Sequence, residues 1–275
     1  MCSHERSKPA LTEGVVSRHE LVATDTWRMV LSIPVWSGDD PSPGQFLMLR
    51  VVGDSDPLLA RPFGISGFDR KKEGTEMEII YRVVGRGTSI MERWRPGQRT
   101  VFLGPLGRGF ALPPEGSSSL LVAGGVGLPP LLSLARNMEK LGRAGELSLV
   151  YGEASRDRLV DLGSDVFPGV ETATCTEDGS CGTQGLVTGL LEAKGHGEGH
   201  HLFVCGPNPM MRAVMDLTAD RSLSAQYSLE ARMACGFGVC SGCAVKLASG
   251  DYVRVCREGP VFNGSELSEE SFGVI

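Results

Sequence analysis

Half of the eight cysteines of this chain stand in one short window, at positions 235, 240, 243 and 256. The segment reads EARMACGFGVCSGCAVKLASGDYVRVC, with the spacing C-x4-C-x2-C-x12-C. It is too rich in glycine to be a helix, and KLASGDYVRV after it reads as a β-hairpin that returns the fourth cysteine to the other three. Thiolates at this spacing are the ligand pattern of a plant-type 2Fe-2S cluster. A loop that gives three sulfurs to one cluster must bend sharply. Gly236, Gly238 and Gly242 are expected to supply the positive φ angles and to leave N–H groups aimed at sulfur. A structural zinc and four ordinary buried thiols are the alternatives. Zinc sites usually pair C-x2-C knuckles, and this segment has one such pair.

The rest of the chain is long enough for about two domains. The 275 residues are 41% hydrophobic and carry a net charge of −6. A core is therefore available, and a basic nucleic-acid footprint is absent. No apolar run approaches the ~20 residues of a membrane span. The polar start MCSHERSKPALTEG has no signal core, so a cytoplasmic location is expected.

Residues 12–112 read as a β-barrel or sandwich. The apolar runs at 27–33, 45–51, 77–84 and 100–103 are separated by turns such as SGDDPSPG and RPGQ. RPFGISG reads as a turn at a strand end, and a short helix is expected to start at Thr88. From 118 to 222 strands alternate with helices: SLLVA, LPPLLSLARNMEKLG, ELSLVYG, VETATC, GLVTGLLEAKG, HLFVCG and NPMMRAVMDLTAD. That order predicts a parallel, doubly wound sheet. Residues 226–265 form the cysteine module, and the last twelve residues read as a loose tail.

Several segments carry ligand chemistry. In GRGTS, Gly87 and Thr88 precede a helix whose free N–H groups can hold phosphate, and Arg61 can add a bidentate contact. Gly124, Gly125 and Gly127 lie in the strand-to-helix turn where such a sheet holds a pyrophosphate. Cys205, in CGPNPMM at the end of another strand, is a candidate wall for a nicotinamide; its alternative role is a small buried residue. His196, His200 and His201 share a polar loop, where a metal site is weighed against ordinary solvated histidines.

RPFGIS, GRGTS, GPLGRGF, AGGVGLPP, CGPNPMM and the cysteine loop occur in one order. In that order the chain resembles the ferredoxin–NADP reductase superfamily. With the C-terminal cysteines it resembles the electron-transfer subunits of NAD-dependent dihydroorotate dehydrogenases. The resemblance spans residues 12–265 and implies an FAD-binding antiparallel barrel, a Rossmann-like NAD(H) domain and a small 2Fe-2S module. It implies FAD contacts at Arg61, Pro62, Phe63, Gly64, Ile80, Tyr81, Arg82, Gly87 and Thr88. Cluster ligands would be Cys235, Cys240, Cys243 and Cys256. The family often has Ser or Thr where Gly64 stands, with Ser66 as the nearest substitute hydroxyl. TEDGSCGTQGLVT, at 176–188, matches the nucleotide domain. No 2′-phosphate pocket is readable, although Arg156 and Arg158 follow the strand at Tyr151, and NAD is implied by analogy.

By the resemblance, the chain relays electrons between NAD and an FMN-containing catalytic partner that oxidises dihydroorotate, in a heterotetramer. The alternative is a diaphorase subunit serving a ferredoxin, hydrogenase or sulfite reductase. The related NADH-dependent ferredoxin–NADP reductases have Asp where Cys235 stands, which favours the dihydroorotate type. A non-enzymatic iron–sulfur redox sensor is the remaining class.

Overall fold

A computed structural model describes residues 8–51, 57–161, 170–194, 200–219 and 224–273. Six strands close an antiparallel barrel in the order β1-β2-β5-β4-β3-β6. They are β1 (Ala10–Ala23), β2 (Thr26–Ile33), β3 (Phe46–Arg50), β4 (Arg61–Lys71), β5 (Gly74–Arg82) and β6 (Arg99–Leu106). Alternate residues such as Met29 and Leu31, Leu47 and Leu49, and Met77 and Ile79 fill the interior, as the period-2 side-chain alternation of a strand requires. RPFGISG is thus not a turn but the first half of β4, paired with β3 through Phe46↔Gly64 and Met48↔Pro62. The short helix α1 (Arg86–Met91) starts two residues before Thr88.

The second unit is a seven-stranded sheet of order β10-β9-β8-β7-β11-β12-β15. Its strands are β7 (Ser119–Gly124), β8 (Leu147–Glu153), β9 (Glu171–Thr176), β10 (Thr183–Gln184), β11 (His201–Cys205), β12 (Ser224–Ser228) and β15 (Val261–Asn263). All neighbours are parallel except β12 with β15. Helices α2 (Leu128–Lys140), α3 (Val187–Lys194) and α4 (Asn208–Thr218) pack on it. Strand order reverses between β7 and β11, so their carboxyl ends open a crevice at the switch point. Pro129 and Pro130 occupy the first turn of α2, where the missing N–H costs nothing.

The cysteine module consists of the loop after β12 and the hairpin β13 (Ala244–Lys246) with β14 (Tyr252–Arg254). It does not stand apart: Val245, Val255, Cys243 and Cys256 share one core with Phe46, Met48 and Leu106 of the barrel. The expected loose tail is instead docked as far as Gly273. Phe272 is buried, its ring lies edge-on to Tyr227 at 6.1 Å, and its carbonyl accepts from Asn208 Nδ2 at 3.0 Å. Among the described residues no helix is long and apolar enough to cross a membrane.

Candidate functional site

Two clefts share Arg82, and the residues that lead into the cysteine loop wall the first of them. The first cleft, about 310 Å³, lies between the barrel and the sheet. Arg61, Pro62, Phe63 and Gly64 of β4 and Ile80, Tyr81 and Arg82 of β5 line it, with Thr88 of α1. The antiparallel barrel carries these two strands side by side, through Ile65↔Ile79, and so joins motifs that are distant in sequence. Gly87 permits this: a Cβ there would stand 2.8 Å from Arg61 Nε, so the guanidinium lies over the helix start. Arg61 also donates to the Leu59 carbonyl. A Cβ at Gly64 would meet Pro130 Cδ at 3.5 Å, an ordinary contact, so a hydroxymethyl group would fit there. Ser66 does not replace it. It is fully buried, lies outside the lining of the first cleft and donates to Glu78 at 2.8 Å.

Two expected contacts are held otherwise. Thr88 Oγ1 accepts from the N–H groups of Val84 (3.0 Å) and Gly85 (3.2 Å) and donates to the Gly85 carbonyl; it closes the loop before α1. Tyr81 OH pairs with His19 Nε2 at 2.9 Å, and the His19 ring stacks on Trp27. Burial and the Glu92 charge push the Tyr81 phenol well above its usual range.

The far wall of the first cleft comes from the sheet and the cysteine module: Cys205, Ser228, Glu230 and Met233. Burial, with the Glu230 charge added, pushes the Cys205 thiol far up, which disfavours a thiolate there. Sequence reasoning missed Glu230, an exposed residue that opens onto this cleft. Its only sequence signal is its place five residues before Cys235.

The second cleft, about 400 Å³, is lined by Gly124, Gly125, Glu153, Glu177, Leu186, Thr188, Pro207 and Met210, with Arg82. The three predicted glycines divide. A Cβ on Gly127 would strike the Cys205 carbonyl at 2.2 Å and one on Gly124 would strike Met210 Sδ at 2.3 Å, so Gly127 serves the packing of the β7–α2 turn on β11 and Gly124 the approach of α4 to β7. Gly125, at φ +55°, faces the cleft. Glu177 comes from the expected 176–188 segment, whereas Glu153 went unrecognised.

In the cysteine loop Gly236 and Gly238 take φ of +78° and +89°, but the third left-handed residue is Ser241 at +56° and not Gly242. A Cβ on Gly236 would come 2.3 Å from Met48 Cγ, so the loop sits directly on barrel strand β3. Cys243 and Cys256 are buried, Cys235 is partly exposed and Cys240 is exposed. The sulfurs associate as two pairs, Cys235 with Cys240 and Cys243 with Cys256. Although burial opposes it, hydrogen bonds from the Cys240 and Phe237 backbone lower the Cys235 thiol to about 6. Cys256 is pushed up to about 12 by burial, by the Cys243 hydrogen bond and by the Cys243 and Cys235 charges. Thiolates are the ligands of iron–sulfur clusters, and these four cysteines lie on one loop and the hairpin that follows it. Among the described residues no three His, Cys, Asp or Glu side chains gather around a single point. His196 lies outside the described residues.

The model of the iron–sulfur cluster binding domain of dihydroorotate dehydrogenase B matches residues 230–268, and that of an oxidoreductase NAD-binding domain matches residues 121–216. The chain is 38% identical over 250 residues to the dihydroorotate dehydrogenase B (NAD(+)) electron transfer subunit of Caldanaerobacter subterraneus subsp. tengcongensis, covering 90% of this chain and 94% of that one. It is 37% identical over 257 residues to the subunit of the same name from Bacillus caldolyticus, covering 92% and 96%. Among solved structures it resembles an NADH-dependent reduced ferredoxin–NADP oxidoreductase, studied for flavin-based electron bifurcation, with a TM-score of 0.79, 25% identity, and 96% and 91% of the two chains covered. The fold is also that of the ferredoxin reductase in carbazole 1,9a-dioxygenase, with a TM-score of 0.66, 21% identity, and 78% and 67% covered. By sequence, domain order and fold, the chain belongs to the family of electron-transfer subunits of NAD(+)-dependent dihydroorotate dehydrogenase B.

Proposed function

We propose that the chain relays electrons between a nicotinamide nucleotide in the second cleft, FAD in the first and a 2Fe-2S cluster on Cys235, Cys240, Cys243 and Cys256. The relay serves an FMN-containing partner that oxidises dihydroorotate, in the cytoplasm, where reducing conditions keep these cysteines unpaired. One observation carries the reading. The wall of the first cleft includes Leu229, Glu230, Ala231 and Met233, the lead-in to Cys235, while Arg82 of the same cleft also lines the second. Nucleotide, flavin and cluster places are therefore neighbours in that order.

The residues fit the groups. Phe63, Ile80 and Pro130 offer an apolar slot, and Arg61 stands over Gly87 as an anion partner. When bound, flavin supplies hydride chemistry and iron–sulfur supplies one-electron chemistry; this chain's residues place them and exclude water. Two sulfur pairs suit two irons. Phe237, Val239 and Tyr252 expose apolar surface beside the loop (52%, 74% and 72%), a patch fit for the partner.

Cys240→Ser in the flavin-loaded complex tests the order. Under anaerobic conditions NADH should still bleach the flavin, while NAD⁺ reduction by dihydroorotate is lost. Equal loss of both steps in a folded variant would sink the relay. If the chain co-purifies with flavin and iron but with another partner and no dihydroorotate activity, the relay stands and its pathway falls.

A further inference from the structure

Arg82 is the one described residue that lines both clefts. Its Nη2 donates to Glu153 Oε1 at 2.5 Å and its Nε to Thr26 Oγ1 at 3.3 Å. The Glu153 side chain is 3% exposed and that of Arg82 16%. The pair is thus a desolvated link between barrel strand β5 and sheet strand β8. Tyr151 OH donates to the same Glu153 oxygen at 3.2 Å, and Thr26 Oγ1 donates to the Thr24 carbonyl at 3.1 Å. These partners fix the guanidinium plane.

Its third nitrogen, Nη1, has a different outlook. It stands 3.8 Å from where a Cβ on Gly125 would be, with Glu153 Oε1 at 3.9 Å from the same point. Gly125 is the cleft-facing residue of the β7–α2 turn, the place where a sheet of this order holds a pyrophosphate. Glu153 and Glu177 both line this cleft. Two carboxylates would repel a dinucleotide's phosphates unless a cation stood between, and Arg82 is the cation that lines the cleft. A guanidinium is a rigid fork able to hold two anions on different edges, which an ammonium is not.

The sequence resemblance puts Arg82 among the flavin contacts. We infer that it is also a nucleotide-positioning residue: Glu153 holds one edge, and the aligned guanidinium presents Nη1 across Gly125 to the pyrophosphate of the dinucleotide. Binding of the nucleotide then fastens barrel to sheet in the geometry used for hydride transfer. This inference rests on the assignment of the two clefts made above.

The test uses the flavin-loaded full chain with its partner and two reductants, NADH and reduced nicotinamide riboside, which carries no phosphate. Arg82→Gln should retain FAD and raise KM for NADH about tenfold or more, the scale of one charge-assisted hydrogen bond, while leaving KM for the reduced riboside unchanged. Arg82→Lys should restore part of the loss. Glu153→Gln should also raise KM for NADH, by less than Arg82→Gln, because the guanidinium keeps its charge but loses its alignment; it also serves if Arg82→Gln fails to fold. Loss of FAD in Arg82→Gln, equal effects on NADH and the reduced riboside, or an unchanged or lower KM for NADH with Glu153→Gln would overturn the assignment. Absence of flavin, or of NADH-driven flavin reduction, in the unaltered chain would overturn the cleft assignment as well, so the two failures are distinguishable.

Discussion

Gly236 has two independent reasons to lack a side chain: its φ of +78° and the 2.3 Å approach of a Cβ to Met48 Cγ. Left-handed backbone costs a non-glycine residue about 1–2 kcal/mol, and overpacking adds about 1–3 kcal/mol. Gly236→Ala should therefore destabilise the module by about 2–5 kcal/mol and lower the iron content of the purified chain, read by thermal melting and iron assay. Adding Met48→Ala should recover the steric part only; full recovery would show that the backbone angle is unstrained. The cysteine spacing was legible because ligand geometry is local. Which residue turns left-handed was not, since Ser241 does what Gly242 was expected to do. The same holds for Thr88 and Ser66. Their hydroxyls look free in sequence, yet one is committed to its own loop and the other to Glu78.

Among the elements, β5 and α2 are tied by a buried charge. Glu78 accepts from Arg28 (2.6 Å), Arg136 (2.7 Å) and Ser66 (2.8 Å). Burial alone would raise its carboxyl, but the Arg136 and Arg28 guanidiniums and the Ser66 hydroxyl outweigh it and hold the pKa below the ordinary 4.5. A depressed folded-state pKa contributes stability above the unfolded value and loses it as pH falls through the folded one. Acid unfolding below about pH 4.5 should therefore include a proton taken up by Glu78. Glu78→Gln should flatten the stability slope below pH 4.5 and, at neutral pH, cost about 1–3 kcal/mol, less than a fully buried pair because both arginines are partly exposed. An unchanged slope by denaturant titration at pH 3.5 and 4.5 would contradict this. Element identity was largely readable where apolar runs were long, as in SLLVA and ELSLVYG. It failed at β4 and β12, RPFGISGFDRK and SAQYS, because Gly and Pro interrupt the first and Tyr227 is the second's one large apolar residue. Tertiary pairing decides both.

At the scale of the whole molecule, the cysteine module is the piece that closes the structure. Strand β15, just past Cys256, adds to the parallel sheet beside β12, and the chain then runs over 3₁₀ turns at Gly264–Glu266 and Glu269–Phe272. That last segment is tied at both ends. Ser271 Oγ donates to the Lys246 carbonyl at 2.5 Å and Glu270 pairs with Lys246 at 2.7 Å, which fixes the hairpin of the cysteine module. Phe272 packs against Tyr227, and Asn208 at the start of α4 holds its carbonyl. The composition of SELSEESFGVI points to a solvated tail, because one aromatic among acids and serines gives no periodic signal. Its placement depends on a socket made by β12 and α4. Removing the Phe272 ring should cost about 3 kcal/mol, as for a large core aromatic. The loss should fall unevenly: a chain ending at Asn263 should lose iron and partner-dependent activity, while the clefts built by barrel and sheet still take up FAD and are still reduced by NADH. Parallel loss of flavin and iron on that truncation would mean instead that the tail supports the sheet as a whole, and that the first cleft depends on it as much as the cluster loop does.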